Sequence, residues 1–329
     1  MTFSIIIPAY NAQETIRPCL DSIVASNFPI RDYEIIVVDD HSRDQTADIV
    51  KPYPCRVIQL DQTSGAAHAR NTGAQNAQGE ILVFIDADVG IPADALKRIA
   101  NAFIENKDVS AMTGCLSRHC VFTDFFSQYK NLYMHFIFSR CPAEIDFLYG
   151  SLMAIRRRDF IPFDETYPMT DDTELGQRYT QKGYAIRLDH SLEVEHMKRY
   201  SGWSFFKNDF FVPFWWARTF LRHRGFDKIW RQKRFSHARI SQLLSIGMAY
   251  LIMVMLSVNW LLGAIFLSII FLFLNLRFLI FLFHERGLGF GLRAIGITFL
   301  DQLVMGGGII TGLIVFCLGP FMKHDGIKR

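Results

Sequence analysis

The stretch Gly79-Glu80-Ile81-Leu82-Val83-Phe84-Ile85-Asp86-Ala87-Asp88-Val89-Gly90 decides the fold of this chain. Five apolar residues run without alternation, which is the pattern of a strand buried on both faces of a parallel sheet. The run ends in two carboxylates one residue apart, followed by Gly90 and Pro92. Ligands of open α/β sheets bind beyond the carboxyl ends of the strands. Asp86 and Asp88 therefore stand where a hard cation with oxygen ligands can be held against a phosphate. Asp-x-Asp alone is equally a solvated turn, because Asp is common in turns, so the neighbouring strands have to decide.

Upstream, Ser4 to Ile7 reads as a first buried strand, closed by Pro8-Ala9-Tyr10-Asn11. Ile16, Leu20, Ile23 and Val24 then recur at helical spacing. A second strand, Glu34 to Val38, runs into Asp39-Asp40-His41-Ser42, and Thr46 to Val50 reads as a short helix. Arg56 to Leu60 reads as a third strand, and Gly65 to Gln78 as an Ala-rich helix carrying Arg70 and Asn71. The Ile81 strand comes next, then a helix from Ala93 to Glu105 with Leu96, Ile99, Ala100 and Phe103 on one face. Strand and helix alternate as in βαβ units with a parallel sheet. Two of the strands end in carboxylates, and their convergence on one sheet edge says more than either motif alone. No Gly-x-Gly-x-x-Gly follows the first strand and no Gly-Lys-Ser/Thr occurs, so the dinucleotide and P-loop readings lack their residues.

Beyond Val109 the pattern is mixed. Phe122 to Phe138 is aromatic-rich and reads either as an interfacial helix or as a core helix of the same domain. Tyr149-Gly150-Ser151 follows, and then Thr170-Asp171-Asp172-Thr173-Glu174-Leu175. The latter places Asp172 near a helix N-terminus, where negative charge is favourable in any case.

Half of the 329 residues are hydrophobic, and they are not evenly spread. Ile240 to Phe283, 44 residues, carries Arg277 as its only charge, and Ala294 to Met322 carries only Asp301. A span needs ~20 residues, so these stretches divide into about three spans: 240–258, 260–283 and 294–320. Ser257-Val258-Asn259-Trp260 is the natural turn between the first two. Three spans would put the basic tail, Lys323 to Arg329, outside the cell, although its charge favours inside. A re-entrant or interfacial third segment is the rival. Ahead of the first span, Lys198 to Arg239 holds eleven Lys/Arg against Asp209 and Asp227, interleaved with Phe and Trp. The same composition suits nucleic acid, but the adjoining apolar run makes a cytoplasmic lipid surface the better reading. The chain thus divides into a soluble domain over 1–200, basic aromatic interfacial helices over 201–239 and a transmembrane region over 240–322. Met1 to Pro8 has no basic n-region, so a signal peptide is not expected and the first domain is expected in the cytoplasm. The six cysteines show no metal-ligand spacing.

Five segments occur in order: Ile6-Ile7-Pro8-Ala9-Tyr10-Asn11, Val37-Val38-Asp39-Asp40-His41-Ser42, Ala69-Arg70-Asn71-x-Gly73, Ile85-Asp86-Ala87-Asp88 and Asp171-Asp172-x-Glu174-Leu175. The set resembles the family 2 glycosyltransferases of the GT-A fold, over roughly residues 1 to 200. The resemblance implies a nucleotide-sugar-binding α/β fold with a mostly parallel sheet. It also implies inverting transfer of a sugar from a nucleotide donor, usually a UDP-sugar, assisted by Mg2+ or Mn2+. By the same resemblance, Pro8, Ala9 and Tyr10 line the base pocket and Asp39 accepts a hydrogen bond from the base. Arg70 sits near the nucleotide, Asp86 faces the ribose or sugar, and Gly150 and Ser151 lie beside the donor sugar. Asp88 would ligate the metal, with His196 as an extra ligand or phosphate contact. Asp172 matches the general base, although Asp171 precedes it where Glu is more usual.

Taken with the apolar half, the resemblance implies a multi-pass enzyme of the cell inner (cytoplasmic) membrane. Its acceptor would be lipid-linked or a glycolipid, in cell-envelope glycan or glycolipid synthesis. The Gln-x-x-Arg-Trp motif of processive synthases is absent; Trp215-Trp216-Ala217-Arg218 and Trp230-Arg231 do not fit it. A processive polysaccharide synthase and a non-catalytic nucleotide-sugar-binding scaffold are the alternatives.

Overall fold

The structure is a computed structural model and describes residues 1–318. Two compact units divide the chain, one formed by residues 1–123 and 137–199, the other by 124–136 and the residues from Tyr200 onward.

The first unit opens with β1 (Phe3–Ala9), α1 (Ile16–Val24), β2 (Tyr33–Asp39), α2 (Thr46–Val50), β3 (Arg56–Gln59), α3 (Ala66–Gln75) and β4 (Ile81–Ile85). These are the elements that the alternating pattern predicts. Ile81, Leu82, Val83, Phe84 and Ile85 are all buried, as an unalternated run requires. α1 turns Ile16, Cys19, Leu20 and Ile23 to the core. The strands pair in parallel in the order β3-β2-β1-β4, with Ala9 opposite Asp39 and Ile6 opposite Phe84. α3 lies close on the sheet: a Cβ at Gly73 would stand 2.3 Å from Ile6 Cγ2.

The remainder of this unit is where the sheet stops being parallel. β5 (Val89–Gly90), α4 (Ala95–Glu105), β6 (Val109–Leu116), α5 (Phe125–Phe138, most of it belonging to the second unit), β7 (Glu144–Ile145), β8 (Leu152–Arg156), α6 (Asp171–Gln181) and β9 (Ala185–His196) follow in order. β8 inserts between β4 and β6, antiparallel to both. The sheet as a whole is mixed, with its parallel pairing concentrated in the N-terminal half. Two antiparallel pairings build the site. Ile85 faces Leu152, so the residues leaving β4 meet those entering β8. Val89 faces His196, so the short strand after Asp88 is joined to the end of β9.

The second unit is helical. α7 (Gly202–Arg222) begins with a reciprocal cap in which Ser204 N donates to Ser201 Oγ at 3.1 Å and Ser201 N donates to Ser204 Oγ at 2.9 Å. α8 (Gly225–Gln232), a two-stranded ribbon of β10 (Arg234–Phe235) and β11 (Ala238–Arg239), α9 (Ile240–Ser257) and α10 (Leu261–Leu318) complete it. α10 is interrupted at Gly287, whose φ of 79° and ψ of −178° are open only to glycine, so the apolar region comprises three helical stretches. Small residues let α10 meet α7 backbone to backbone. A Cβ at Gly308 would lie 2.1 Å from the Phe210 carbonyl oxygen, and one at Gly312 would lie 2.4 Å from that of Phe214. Tyr129, Phe205, Phe278 and Leu282 form an apolar cluster in the same unit. The end of the third expected span, 319–320, the end of the expected transmembrane region, 321–322, and the basic tail Lys323 to Arg329 lie outside the described residues.

Candidate active site

The carboxyl edge of β1 and β2 carries the first group of site residues. Pro8 and Ala9 close β1, Ala9 pairs in register with Asp39, and Asp40 N donates to Ala9 O at 2.8 Å. Asp39 is buried and its Oδ1 accepts from Ser42 N at 3.1 Å, which folds the turn after β2 back on itself. Asp40 instead fixes the entry to α3, where its two oxygens accept from Ser64 N at 2.7 Å and Gly65 N at 2.8 Å. Tyr10, at 48% exposure, extends from this edge into solvent. An exposed aromatic ring at this sheet edge can stack on a planar group.

Arg70 is brought to the next part of the edge by α3. Its Nη2 donates to Asp86 Oδ1 at 2.7 Å and its Nη1 to Asp171 Oδ2 at 2.6 Å, with the guanidinium buried. Asp172 follows Asp171 at the start of α6, and its contacts are backbone ones. Asp172 Oδ2 accepts from Gly150 N at 2.7 Å and Oδ1 accepts from Thr173 N at 2.6 Å. Gly150 is enclosed by the whole group. A Cβ there would stand 3.1 Å from Arg70 Nη2, 3.2 Å from Asp86 Oδ2 and 3.4 Å from Asp172 Oδ2. Arg70, Asp86, Gly150 and Asp172 therefore form one constellation, drawn from α3, the turn after β4, the turn before β8 and α6. Ser151 is buried beside Gly150 in the turn before β8.

Asp88 and His196 are the second grouping, with Asp88 Oδ2 3.4 Å from His196 Nε2. Met197 N donates to Asp88 O at 2.7 Å, so the backbone after β9 holds this turn. Among the described residues no three His, Cys, Asp or Glu side chains form a cation cage. One carboxylate completed by substrate phosphate oxygens and waters is an ordinary arrangement for Mg2+; Asp88 fits that pattern, and the His196 imidazole beside it would be a softer, additional donor.

The three carboxylates differ in their electrostatics. Burial raises the Asp172 carboxyl, the adjacent Asp171 charge raises it further, and Arg70 and two backbone N–H groups only partly oppose them; it is pushed up to about 7. Burial also raises Asp86, against the pull of Arg70. Burial works against ionisation of Asp88 as well, but His196 outweighs it and holds that carboxyl below its ordinary value. Asp172 is thus poised near neutrality while Asp88 is held ionised.

Two features escape a reading of the sequence. Asp171, placed only as a variant neighbour of Asp172, is the partner of Arg70. Gly176 and Gln177 set the position of α6: a Cβ at Gly176 would lie 2.4 Å from Phe147 Cα, and Gln177 Nε2 donates to Asp146 O at 2.7 Å. The run Leu175-Gly176-Gln177 after an acidic helix start gives a hint of close packing, but not of what is packed against.

Comparison with known proteins bears on the same residues. Residues 4–162 match the family described as Glycosyl transferase family 2. A poly(ribitol-phosphate) beta-glucosyltransferase of Bacillus spizizenii is 40% identical over 113 residues, 32% of this chain and 18% of that protein. A putative teichuronic acid biosynthesis glycosyltransferase, TuaG, of Bacillus subtilis is 34% identical over 116 residues, 34% of this chain and 45% of that protein. The match thus spans less than half the length of either relative. In fold, the chain is similar to the mannosyltransferase PcManGT of Pyrobaculum calidifontis, solved with GDP-Man and Mn2+. The TM-score is 0.57 and the identity 19%, covering 96% of this chain and 87% of that one. This likeness places the first unit among GT-A folds.

Proposed function

Through residues 4–162 the chain belongs to glycosyl transferase family 2, and on that premise we propose that it is a membrane-anchored inverting glycosyltransferase. It moves a sugar from a nucleotide-sugar, a UDP-sugar in our reading, to a lipid-linked or membrane-embedded acceptor in cell-envelope glycan or glycolipid synthesis. The observation that carries the reading is Asp172: a carboxylate raised to about 7, with no ion-pair partner among the described residues, next to Gly150 and Asp86.

In this mechanism Asp172 takes the proton of the acceptor hydroxyl as that oxygen attacks the anomeric carbon. The bond to the nucleotide diphosphate breaks on the opposite face, so the configuration inverts. Gly150 leaves the space in which donor sugar and acceptor oxygen meet, and its N–H keeps Asp172 aimed at that space. Ala9 and Tyr10 pack on the base, with Pro8 fixing the chain behind them, and Asp39 accepts a hydrogen bond from it. Asp86 faces the ribose or sugar, and Ser151 holds the turn beside it. Asp88 and His196 would hold Mg2+ or Mn2+. When bound, that ion supplies positive charge to the departing diphosphate.

The membrane part of the proposal rests on composition and exposure. Ile240–Ser257 and Leu261–Cys317 are long and apolar enough to cross a bilayer. The kink at Gly287 divides the latter, consistent with about three spans. Leu262, Phe273 and Ile265 are exposed on these helices, as lipid contact requires. Trp203 and Trp230, at 80% and 79% exposure among the basic residues of 201–239, suit the interface. The multi-pass protein would then sit in the inner membrane with its first unit in the cytoplasm, and nucleic acid is not a partner. The test is a panel of radiolabelled nucleotide-sugars offered to membranes containing the protein, with the labelled product extracted into organic solvent. One labelled lipid per donor sugar supports the reading. Label appearing only in a polymer would favour a processive synthase, and no label from any donor would favour a scaffold.

A further inference from the structure

Arg70 is enclosed in a way that a nucleotide contact does not require. Its two terminal nitrogens are taken by Asp86 and Asp171 at 2.7 and 2.6 Å. The Phe163 ring covers the guanidinium at 5.5 Å, and Nε lies below the surface with no partner among the described residues. The neighbouring residue holds that cover in place: Phe163 N donates to Asn71 Oδ1 at 2.8 Å, and Asn71 Nδ2 donates to Phe163 O at 3.0 Å. The adjacent pair Arg70-Asn71 is thus one device, a buried cation and the clamp on its lid.

We propose that Arg70 is a positioning residue that ties the turn after β4 to α6 through Asp86 and Asp171, leaving Asp172 as the carboxylate without a cation partner. The inference rests on the reading of Asp172 as the base and adds what sets its basicity. Among the described residues, the charged and titratable groups around Asp172 include Asp171 on its own helix, Arg70 on α3, Asp86 after β4, and the buried Tyr149 phenol before β8. Because Arg70 bonds Asp171 rather than Asp172, the acidity of Asp172 is set by a balance. Asp171 pushes the proton on, and Arg70 draws it off from a distance. Arg70 also ties Asp86, which lies against Gly150, to Asp171, so the turn after β4 and the start of α6 are held by one cation.

The test reads the protonation of Asp172 without relying on catalysis. The melting temperature of full-length protein in detergent is compared with that of its Asp172→Asn variant across pH, and the inflection of the difference reports Asp172. The comparison is repeated with Arg70→Gln and with Asp171→Asn in both members. The inflection is expected to move up by about one pH unit or more in Arg70→Gln and down by a similar amount in Asp171→Asn. The acid limb of the transfer rate should move the same way. Should Arg70→Gln fail to fold, Asp171→Asn and Arg70→Lys carry the test, the latter shifting the inflection less than removal of the charge. An inflection unmoved in Asp171→Asn, or moved in the same direction in both, would overturn the proposal. So would an Arg70→Lys variant that loses UDP affinity while keeping the parent inflection, which is the signature of a direct nucleotide contact. Normal transfer by Asp172→Asn would instead remove the base assignment and leave the inflection to judge Arg70 alone.

Discussion

The backbone N–H of Gly150 donates a 2.7 Å hydrogen bond to Asp172 Oδ2, although 22 residues separate the two. The bond exists because β8 runs antiparallel to β4 and because α6 starts at Asp171. It holds one oxygen of Asp172 at Gly150, where Asp86 Oδ2 also lies close.

Gly150 has no room for a side chain. A Cβ would press on Arg70 Nη2 at 3.1 Å and Asp86 Oδ2 at 3.2 Å, both of which are fixed by their own bonds. Gly150→Ala is expected to fold, because its N–H bond survives, but to displace the carboxylates from the reacting atoms. These neighbours must give by a few tenths of an ångström; since displacements of ~1 Å cost about a hundredfold in rate, a loss of roughly tenfold is expected. Single-turnover transfer and a melting curve on one preparation check this, and a rate within a few fold of the parent would show that the space is not used.

Asp88→Asn removes the charge of the carboxylate beside His196. UDP binding in the presence of Mn2+ should weaken sharply, while the melting temperature without Mn2+ stays near that of the parent. Calorimetry showing unchanged Mn2+-dependent UDP affinity would take Asp88 out of the cation site.

Much of this arrangement is legible in the sequence, and the missing part has a physical reason. The unalternated run Ile81–Ile85 and the carboxylates after β2 and β4 identify a buried parallel half-sheet with a polar edge. β6, β8 and β9 are harder to see. Val109–Leu116 includes Ser110, Thr113 and Gly114 and shows no strand period, whereas Ala185–His196 alternates as Ile186-Arg187-Leu188-Asp189 and again as Leu192-Glu193-Val194-Glu195, each run short and the two split at His190-Ser191. Their partners lie 40 to 107 residues away, and a local pattern carries no register. Gly150 and His196 can be named by resemblance, but only the two antiparallel pairings explain why they reach Asp86 and Asp88. Asp171 is the clearest omission: as a sequence neighbour it looks like a spare helix-start charge, whereas it is the partner of Arg70.

Within the helical unit, Gly308 is the tightest point of contact between α10 and α7. A side chain there meets the Phe210 carbonyl, which as backbone cannot rotate away. Gly308→Leu should force the helices apart and destabilise the protein by about 1–3 kcal/mol or more, whereas Gly247→Leu, with nothing within 4 Å, should be tolerated. Melting temperatures in one detergent compare the two, and equal losses would contradict the packing.

The raised Asp172 carboxyl makes two signed statements about pH. As a base it works unprotonated, so transfer should rise with pH and level off above about 7. Stability runs the other way. The unfolded chain releases this proton near ~4, so between ~4 and about 7 the folded state holds more protons and stability falls as pH rises. Asp172→Asn removes that penalty. Relative to the parent, its melting temperature should climb over this window and stay constant above it. A difference independent of pH would mean that Asp172 is not held protonated.

The most direct test of the mechanism is the Asp172→Asn variant assayed for donor binding and transfer on the same purified sample. Asparagine keeps the acceptor oxygen for Gly150 N–H and loses only the capacity to take a proton. A base at this position predicts nucleotide-sugar affinity near that of the parent and transfer slower by ~10²–10⁴. A transfer rate within about threefold of the parent, with affinity unchanged, would contradict it.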